Sequence, residues 1–599
     1  MDGDGEDGDL KVCDGSQMQS TIDKCYDGLM NVDGNGKVVP YVCSICDEFI
    51  MKKRDLETTS VKKMKDYEDL LTFEWLPEEE RLHDVETGYT FPERVEGNNS
   101  WLNDYGLSPR GSLYRASPRH AAGFTCCSSC KSSLRKGVVP RYAITNLNHV
   151  GMAPECLREL TEVEMAFLSP VRSYGYCFLW EGGAMRCMKG TLVFMRVKER
   201  QVAKAVSTLK CMGLNRHVVV LISGKLTAAQ KRSVLSKTEI RTEKLIAAVE
   251  WLVENNKAWK EVDLEELREE IATSKPIVVD KSSNIGSGNA NVEEEEVFTC
   301  YYPDSASDSV SGGFDTPGAF KEFVTEMQEK NYDLQFKAQL EKEFVRGGDD
   351  EILLGAALLQ FPYGVGGLDE SRLIEKGERS NKTDLSDFLI HLSKKSAPEF
   401  QTALFQLIMY SLKSKARLLK TSRLQFRNKT DAKNLAEGFN YNDLNAAIKG
   451  RKEGNYHAGT NVARKLLKAI DACSKSLPHT RDAAKTARSS MEALQHHFGS
   501  GSLFLTVTPD DENSFLIQVL TGDHVDDDRD ICDLSDDELS KRSRQRQELR
   551  FKCPGAAAIN FEMLLDIVME EVIGWNRELH SSKVGGGLFG EVIALANGC

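Results

Sequence analysis

The chain has 599 residues, a formal net charge of -14, and a composition that is 41% apolar and 28% charged. That length exceeds what one hydrophobic core can organise, so about three or four folding units are expected. No apolar run approaches the roughly 18 residues of a membrane helix, which excludes a membrane span, and the acidic balance excludes a protein that coats nucleic acid with its whole surface.

The first thirty residues, beginning MDGDGEDGDL, are acidic and lack the positive start and apolar stretch of a secretory signal. Residues 1–38 read as an acidic mobile tail. Without a signal, the sixteen cysteines read as thiols, small buried residues or metal ligands in a reducing compartment rather than as a disulfide framework. From Pro40 to Lys136 the chain is loop-rich and holds two close cysteine pairs. Val138 to Val197 alternates strand-like and helical pieces, among them LTEVEMAFL, in which Thr161 is placed to cap a helix with Glu164 three residues on. HVVVLISG then reads as a buried strand, and TEKLIAAVEWLVENN as an amphipathic helix with Leu245, Val249, Leu252 and Val253 on one face.

Residues 273–318 are rich in Ser, Gly and Asn with an acidic run, the composition of a flexible linker. FLIHLSKKSAPEFQTALFQLIMYSLKSKARLL reads as one long helical region that turns basic at its end, and helices with exposed Lys and Arg continue to about residue 490. Between Ser411 and Ser490 there are 18 Lys and Arg against 6 Asp and Glu, so this segment carries +12 and the remainder -26. Such a block is a phosphate-binding surface or a solvated helical face. GSLFLTVTPDDENSFLIQVL, from Gly501, reads as a buried strand over Leu503 to Val507, a turn at Pro509, and an amphipathic helix. INFEMLLDIVMEEVIGW is the final helix.

Two motifs bear on chemistry. Cys43 and Cys46 form CSIC, and Cys127 and Cys130 form the CxxC of CCSSC. Two such knuckles supply the four thiolates of a structural zinc site, with separate buried thiols as the alternative and Cys126 as a substitute for Cys127. No G-x-x-x-x-G-K-[ST] occurs, so no ATP site is expected, and neither G-x-S-x-G nor H-E-x-x-H appears. His496 and His497, adjacent in sequence, read as solvent-facing residues at a helix end.

Two stretches resemble known families. The cysteines with VVPRYAITNLNHVGMAPECLRELTEVEMAFLSPVRSY, KGTLVFMRV and IRTEKLIAAVEWLVENN resemble DUF6570, the domain found upstream of helicase-like parts of Helitron transposon proteins, over roughly residues 40 to 270. LLQFPYGVGG, APEFQTALFQLIMYSLKSKARLL, GSLFLTVTPDDENSFLIQVL, PGAAAINFEMLLDIVMEEVIGW and GGGLFGEVIA, in that order, resemble the Helitron helicase-like N-terminal domain over about residues 350 to 597. The second resemblance implies that Leu503 to Val507 is the first strand of a rolling-circle nuclease palm, in which later strands place a His-apolar-His metal site and a helix supplies tyrosine. No His-x-His occurs in this sequence, and the chain stops just after the segment that precedes that strand in the family, so no catalytic residue is carried over.

The expected fold is therefore α+β and multidomain. A loop-rich zinc-knuckle α+β domain (39–272) follows the tail, and after the linker a Helitron helicase-like domain (319–599) holds a helical segment and an incomplete α/β nuclease-like palm. The expected function is a Helitron-derived DNA-binding scaffold without nuclease or helicase centres, hence without catalysis; the alternative is a host-adopted zinc module that binds a protein partner. Zinc is held by Cys43, Cys46, Cys127 and Cys130. Arg417, Lys420, Arg423 and Arg427, alternating with apolar residues, contact the phosphates of DNA, single-stranded by the family's chemistry. An intracellular location is expected from the missing secretory signal, with the nucleus as the expected compartment.

Overall fold

A computed structural model describes residues 15–29, 40–52, 55–73, 104–111, 113–114, 123–179, 186–203, 206, 241–263, 265, 268, 343–344, 349–368, 384–425, 440–475, 477, 480–501, 505–508, 516–522, 535–577 and 579–595. The expected linker, the strand read into HVVVLISG and Arg427 lie outside these residues. In chain order the main elements are α1 (Gly15–Leu29), β1 (Leu56–Ser60), β2 (Leu113–Tyr114), β3 (Gly123–Cys127), α2 (Ser128–Arg135), α3 (Glu155–Arg158), α4 (Glu162–Leu168), β4 (Val171–Leu179) and β5 (Arg186–Arg196). There follow α5 (Thr242–Asn255), β6 (Glu343–Phe344), α6 (Asp349–Ala356), α7 (Leu385–Ser393), α8 (Ala403–Gln425), α9 (Tyr441–Lys452), α10 (Asn461–Ser474) and α11 (Arg481–Phe498). The last are α12 (Leu516–Leu520), α13 (Asp536–Lys552), α14 (Pro554–Ile567), β7 (Trp575–Asn576) and β8 (Ser581–Ser582). Helices with small antiparallel sheets make the chain α+β. No helix among the described residues is long and apolar enough to cross a membrane.

The chain divides into two compact units, each discontinuous in sequence: residues 1–67, 110–140 and 383–599 form one, and residues 68–109 and 141–382 the other. The second unit is built around α5. Its Leu245, Ile246, Val249 and Leu252, at helical spacing, pack with Leu157, Met165, Leu168, Val197 and Trp259. The start of α4 is a complete capping box, with the Thr161 side chain accepting from the Glu164 amide and the Glu164 carboxylate from the Thr161 amide. β4 and β5 form an antiparallel hairpin whose register shifts between Tyr174 and Tyr176, and β6 pairs with β5.

The first unit holds the three-stranded antiparallel sheet β1-β3-β2 and the helices from α7 onward. Three expectations change here. Within the segment read as a tail, Gly15–Leu29 is a helix that packs against α14. Five acidic residues fall within the first nine positions, whereas residues 15–29 hold two, Asp23 and Asp27, with Lys24 between them, so the repulsion that opposes ordering of an acidic run is weaker there. The long helical region read from Phe388 is helical on both sides of an interruption at Lys394 to Thr402. Pro398 lacks an amide proton and disfavours helical backbone at Ala397, which is extended (φ -66°, ψ 127°) before a 3-10 turn over Pro398–Gln401. Residues 505–507, the described part of the expected buried strand, carry no strand, and Leu505 and Val507 are 42% and 37% exposed. A strand needs a neighbour for its amides and carbonyls, and no strand among the described residues pairs there.

Candidate metal centre

The first cysteine pair sits in a short loop and the second at a strand–helix junction, and the two bring their sulfurs together. In the first, Val42 bridges Phe49, the Cys43 amide donates to the Glu48 carbonyl at 2.9 Å, and the Asp47 amide donates to the Cys43 carbonyl at 3.0 Å. Closing this loop requires a left-handed backbone at Asp47 (φ 61°), which Asp tolerates better than most side chains. The second pair lies where β3 runs into α2. Cys127 ends the strand and caps the helix, its Sγ accepting from the Cys130 amide at 3.5 Å, and the Cys127 amide donates to Cys43 Sγ at 3.3 Å. The loops are joined by the Ser44 amide on the Thr125 carbonyl (2.9 Å) and by Thr125 Oγ1 on the Val42 carbonyl (2.6 Å). Gly111 passes so close that a Cβ there would stand 2.4 Å from Ser44 Oγ and 2.7 Å from Ser44 Cα.

The sulfurs of Cys43, Cys46, Cys127 and Cys130 all lie within 4.8 Å of one another, with Cys46 and Cys127 at 4.0 Å. A tetrahedral zinc with bonds of about 2.3 Å would separate its sulfurs by about 3.8 Å, so the cage fits that ion with a small contraction. Among these four thiols, hydrogen bonds from Cys130, Cys43 and Cys46 hold Cys127 far below its ordinary value. The same bonds to Cys127 push Cys46 and Cys130 up. One sulfur is thus already inclined to be a thiolate, the form that binds metal. Cys126 points to the other face of β3, as strand alternation requires. Its sulfur is 3.7 Å from Thr59 Oγ1, and burial raises its thiol to about 12. The choice left open by CCSSC falls on Cys127.

The cysteine loops are not a free-standing finger. Val42 and Phe49 share a core with Ile517 and Leu520 of α12 and Ala556 and Ile559 of α14. The Phe49 amide donates to the Lys394 carbonyl and the Ser396 amide to the Asp47 carbonyl, both at 2.8 Å, and Ser396 Oγ donates to Asp47 Oδ1 at 2.7 Å. His391 Nδ1 lies 2.5 Å from Glu48 Oε1; burial lowers this imidazole's pKa despite the neighbouring carboxylate. Lys52 pairs with Asp566 and Glu570, both at 3.3 Å. These partners lie more than 340 residues downstream, and no sequence signal announces them.

The basic block forms a second feature. α8 is buried through Phe405, Ile408, Met409 and Leu412 and emerges at its end, where Arg417 and Lys420 are exposed. Arg423 is on the same helix, its side chain outside the described residues. α10 packs against both α8 and α9. Exposed Lys449 and Lys452 on α9, Lys465 and Lys468 on α10, and Lys485 and Arg488 on α11 extend the basic surface. Of the four residues selected from the sequence, Arg417 and Lys420 are the two whose exposure is described. Arg451 is paired with Asp471 at 2.7 Å. His496 and His497 are exposed in the last turn of α11.

Residues 386–597, which contain α7 to α14, match the family model described as the Helitron helicase-like domain at the N-terminus. The chain carries a Helitron helicase-like domain. Upstream, residues 136–270 match DUF6570, a domain of unknown function. The order is that of the resemblance read from the sequence, but the DUF6570 match begins after the last of the four cysteines rather than near residue 40. The cysteines thus lie outside both matches, and in space they share a compact unit with the Helitron helicase-like domain. No curated protein and no solved structure matches the chain.

Proposed function

We propose that the chain is a transposon-derived DNA-binding scaffold in which Cys43, Cys46, Cys127 and Cys130 hold one structural zinc ion and the basic face of α8 to α11 lies along DNA phosphates. A filled set of four soft thiolates selects zinc among abundant divalent ions and leaves no position for a reacting water, so the ion's role is structural. The observation that carries the DNA reading is that exposed Arg417, Lys420, Lys449, Lys452, Lys465, Lys468, Lys485 and Arg488 fall within the 386–597 match of an otherwise acidic chain. Arg423, on α8, and Arg427, two positions beyond that helix in the sequence, are assigned to the same interface. The acidic remainder confines phosphate to this region by repulsion elsewhere. DNA, in single-stranded form, is the partner; no catalytic residue is assigned, and the nucleus is where such a substrate is met.

Fluorescence anisotropy of a labelled single strand against its duplex, from 50 to 200 mM NaCl, tests this reading. Each phosphate contact on a single strand contributes about 0.7 to the slope of log affinity against log salt. Replacing Arg417, Lys420, Arg423 and Arg427 with alanine should therefore flatten the slope by about 3 and weaken binding throughout. Unchanged affinity and slope would remove these residues from the interface, and equal binding to the duplex would remove the preference for single strands.

A further inference from the structure

A zinc ion held by four thiolates keeps a net charge of -2, and burying that charge is costly unless a cation stands near. The loop between α7 and the 3-10 turn supplies one. Lys395 is 1% exposed, and its backbone forms an antiparallel bridge with Glu48, two residues from Cys46. Bridged residues place their Cβ atoms about 5 Å apart, so the lysine enters the structure beside the first cysteine loop. The register is locked on both sides by the Phe49–Lys394 and Asp47–Ser396 hydrogen bonds. Gln401 Nε2 donates to the Lys395 carbonyl at 2.8 Å and holds the loop from behind. The ammonium stands 5.9 Å from the Phe400 ring centre; burial lowers its pKa, Arg110 acts in the same sense, and Asp47, Cys46 and Glu48 oppose them by favouring the charged form. Lys131, the other buried lysine near the knuckles, donates to Thr59 Oγ1 at 2.5 Å and to the Thr58 carbonyl at 3.1 Å, on the side of Cys126 rather than of the four-sulfur cluster.

We propose that Lys395 is the counter-cation of the four-cysteine centre, so that the Helitron helicase-like domain completes, from outside the ligand set, a metal site whose ligands all lie upstream of it. Lys395 does not bind the ion. It positions charge, lowering the cost of keeping four sulfurs deprotonated in a buried place. This rests on the zinc reading above and adds to it that the metal's retention depends on a residue 265 positions beyond its last ligand.

The test uses the full chain purified without chelator, with zinc content measured and affinity read by competition with a chromophoric chelator. Wild-type protein without zinc would sink the metal reading itself. With zinc present, Lys395→Met should bind it about 10- to 100-fold more weakly, the usual loss when an outer-sphere partner is removed, and Lys395→Arg should recover most of that loss. In a Cys130→His background, where the ligand set carries one charge fewer, Lys395→Met should cost clearly less. Equal zinc affinity in Lys395→Met and wild type overturns the proposal, and so does a loss that is the same in both backgrounds. If Lys395→Met and Lys395→Gln fail to fold with zinc while Lys395→Arg folds, the positive charge is the requirement and the proposal stands; if Lys395→Arg fails as well, it falls.

Discussion

Glu164 is the residue at which one substitution should most clearly loosen the second unit. Its carboxylate is fully buried and accepts from the Thr161 amide (2.8 Å), the Arg241 amide (2.6 Å), Arg241 Nε (3.0 Å) and an Arg241 terminal nitrogen (2.6 Å). It therefore closes the start of α4 and ties it to the residue that caps α5. Breaking a buried pair by removing one partner costs about 3–5 kcal/mol. Arg241 keeps 36% of its side chain in water and still donates to the Glu159 carbonyl at 2.6 Å, so rehydration returns part of that cost. For Glu164→Ala a net loss of about 2–3 kcal/mol is expected, including about 1 kcal/mol from the lost cap. That corresponds to amide exchange about 30- to 150-fold faster in α5, where a mass-spectrometric measurement would resolve peptides over 242–255. Exchange within threefold of wild type would refute the argument. Burial alone would push the Glu164 carboxyl up, but the Arg241 side chain and the two amides outweigh it and leave its pKa below the ordinary carboxylate value. The sign of the linkage follows: this stability is present above the unfolded value of about 4.3 and is lost as pH falls through the lower folded value. Exchange in α5 corrected for intrinsic rates should accelerate there in wild type and not in Glu164→Ala.

Three further outcomes probe the metal centre. Cys126→Ser should retain full zinc content, since its sulfur faces Thr59, whereas Cys127→Ser should lose the metal; the reverse pattern would reassign the ligand. Thiol titration before and after chelation should differ by the four cysteines of the cluster, and identical counts would argue that no ion is held there. Gly111→Ala should lower the thermal midpoint of the first unit and its zinc content, because the new methyl meets Ser44 backbone at 2.7 Å, an overpacking cost of about 1–3 kcal/mol; an unchanged midpoint would show that the loop yields freely.

The sequence by itself determined what depends on neighbours a few residues away. The capping box at Thr161 and Glu164, the apolar stripe of Thr242–Asn255, the two CxxC knuckles and the basic character of 411–490 are all written in short-range spacing, and each is where that spacing put it. The order of family-like pieces was legible for the same reason, since it is a property of the linear text. Tertiary structure decided the rest. Periodicity cannot tell a strand with a partner from an apolar run without one, and so Leu505 and Val507 read as buried and stand exposed. It sees a long helix where Pro398 cuts a loop, and that loop is what receives the first cysteine pair. Above all, spacing could propose four ligands but could not say what surrounds them. That Lys395, His391 and Ser396 pair with Asp47 and Glu48 beside the first cysteine pair is a consequence of chain folding across more than 340 residues, and contacts at that separation leave no periodic trace in a single sequence.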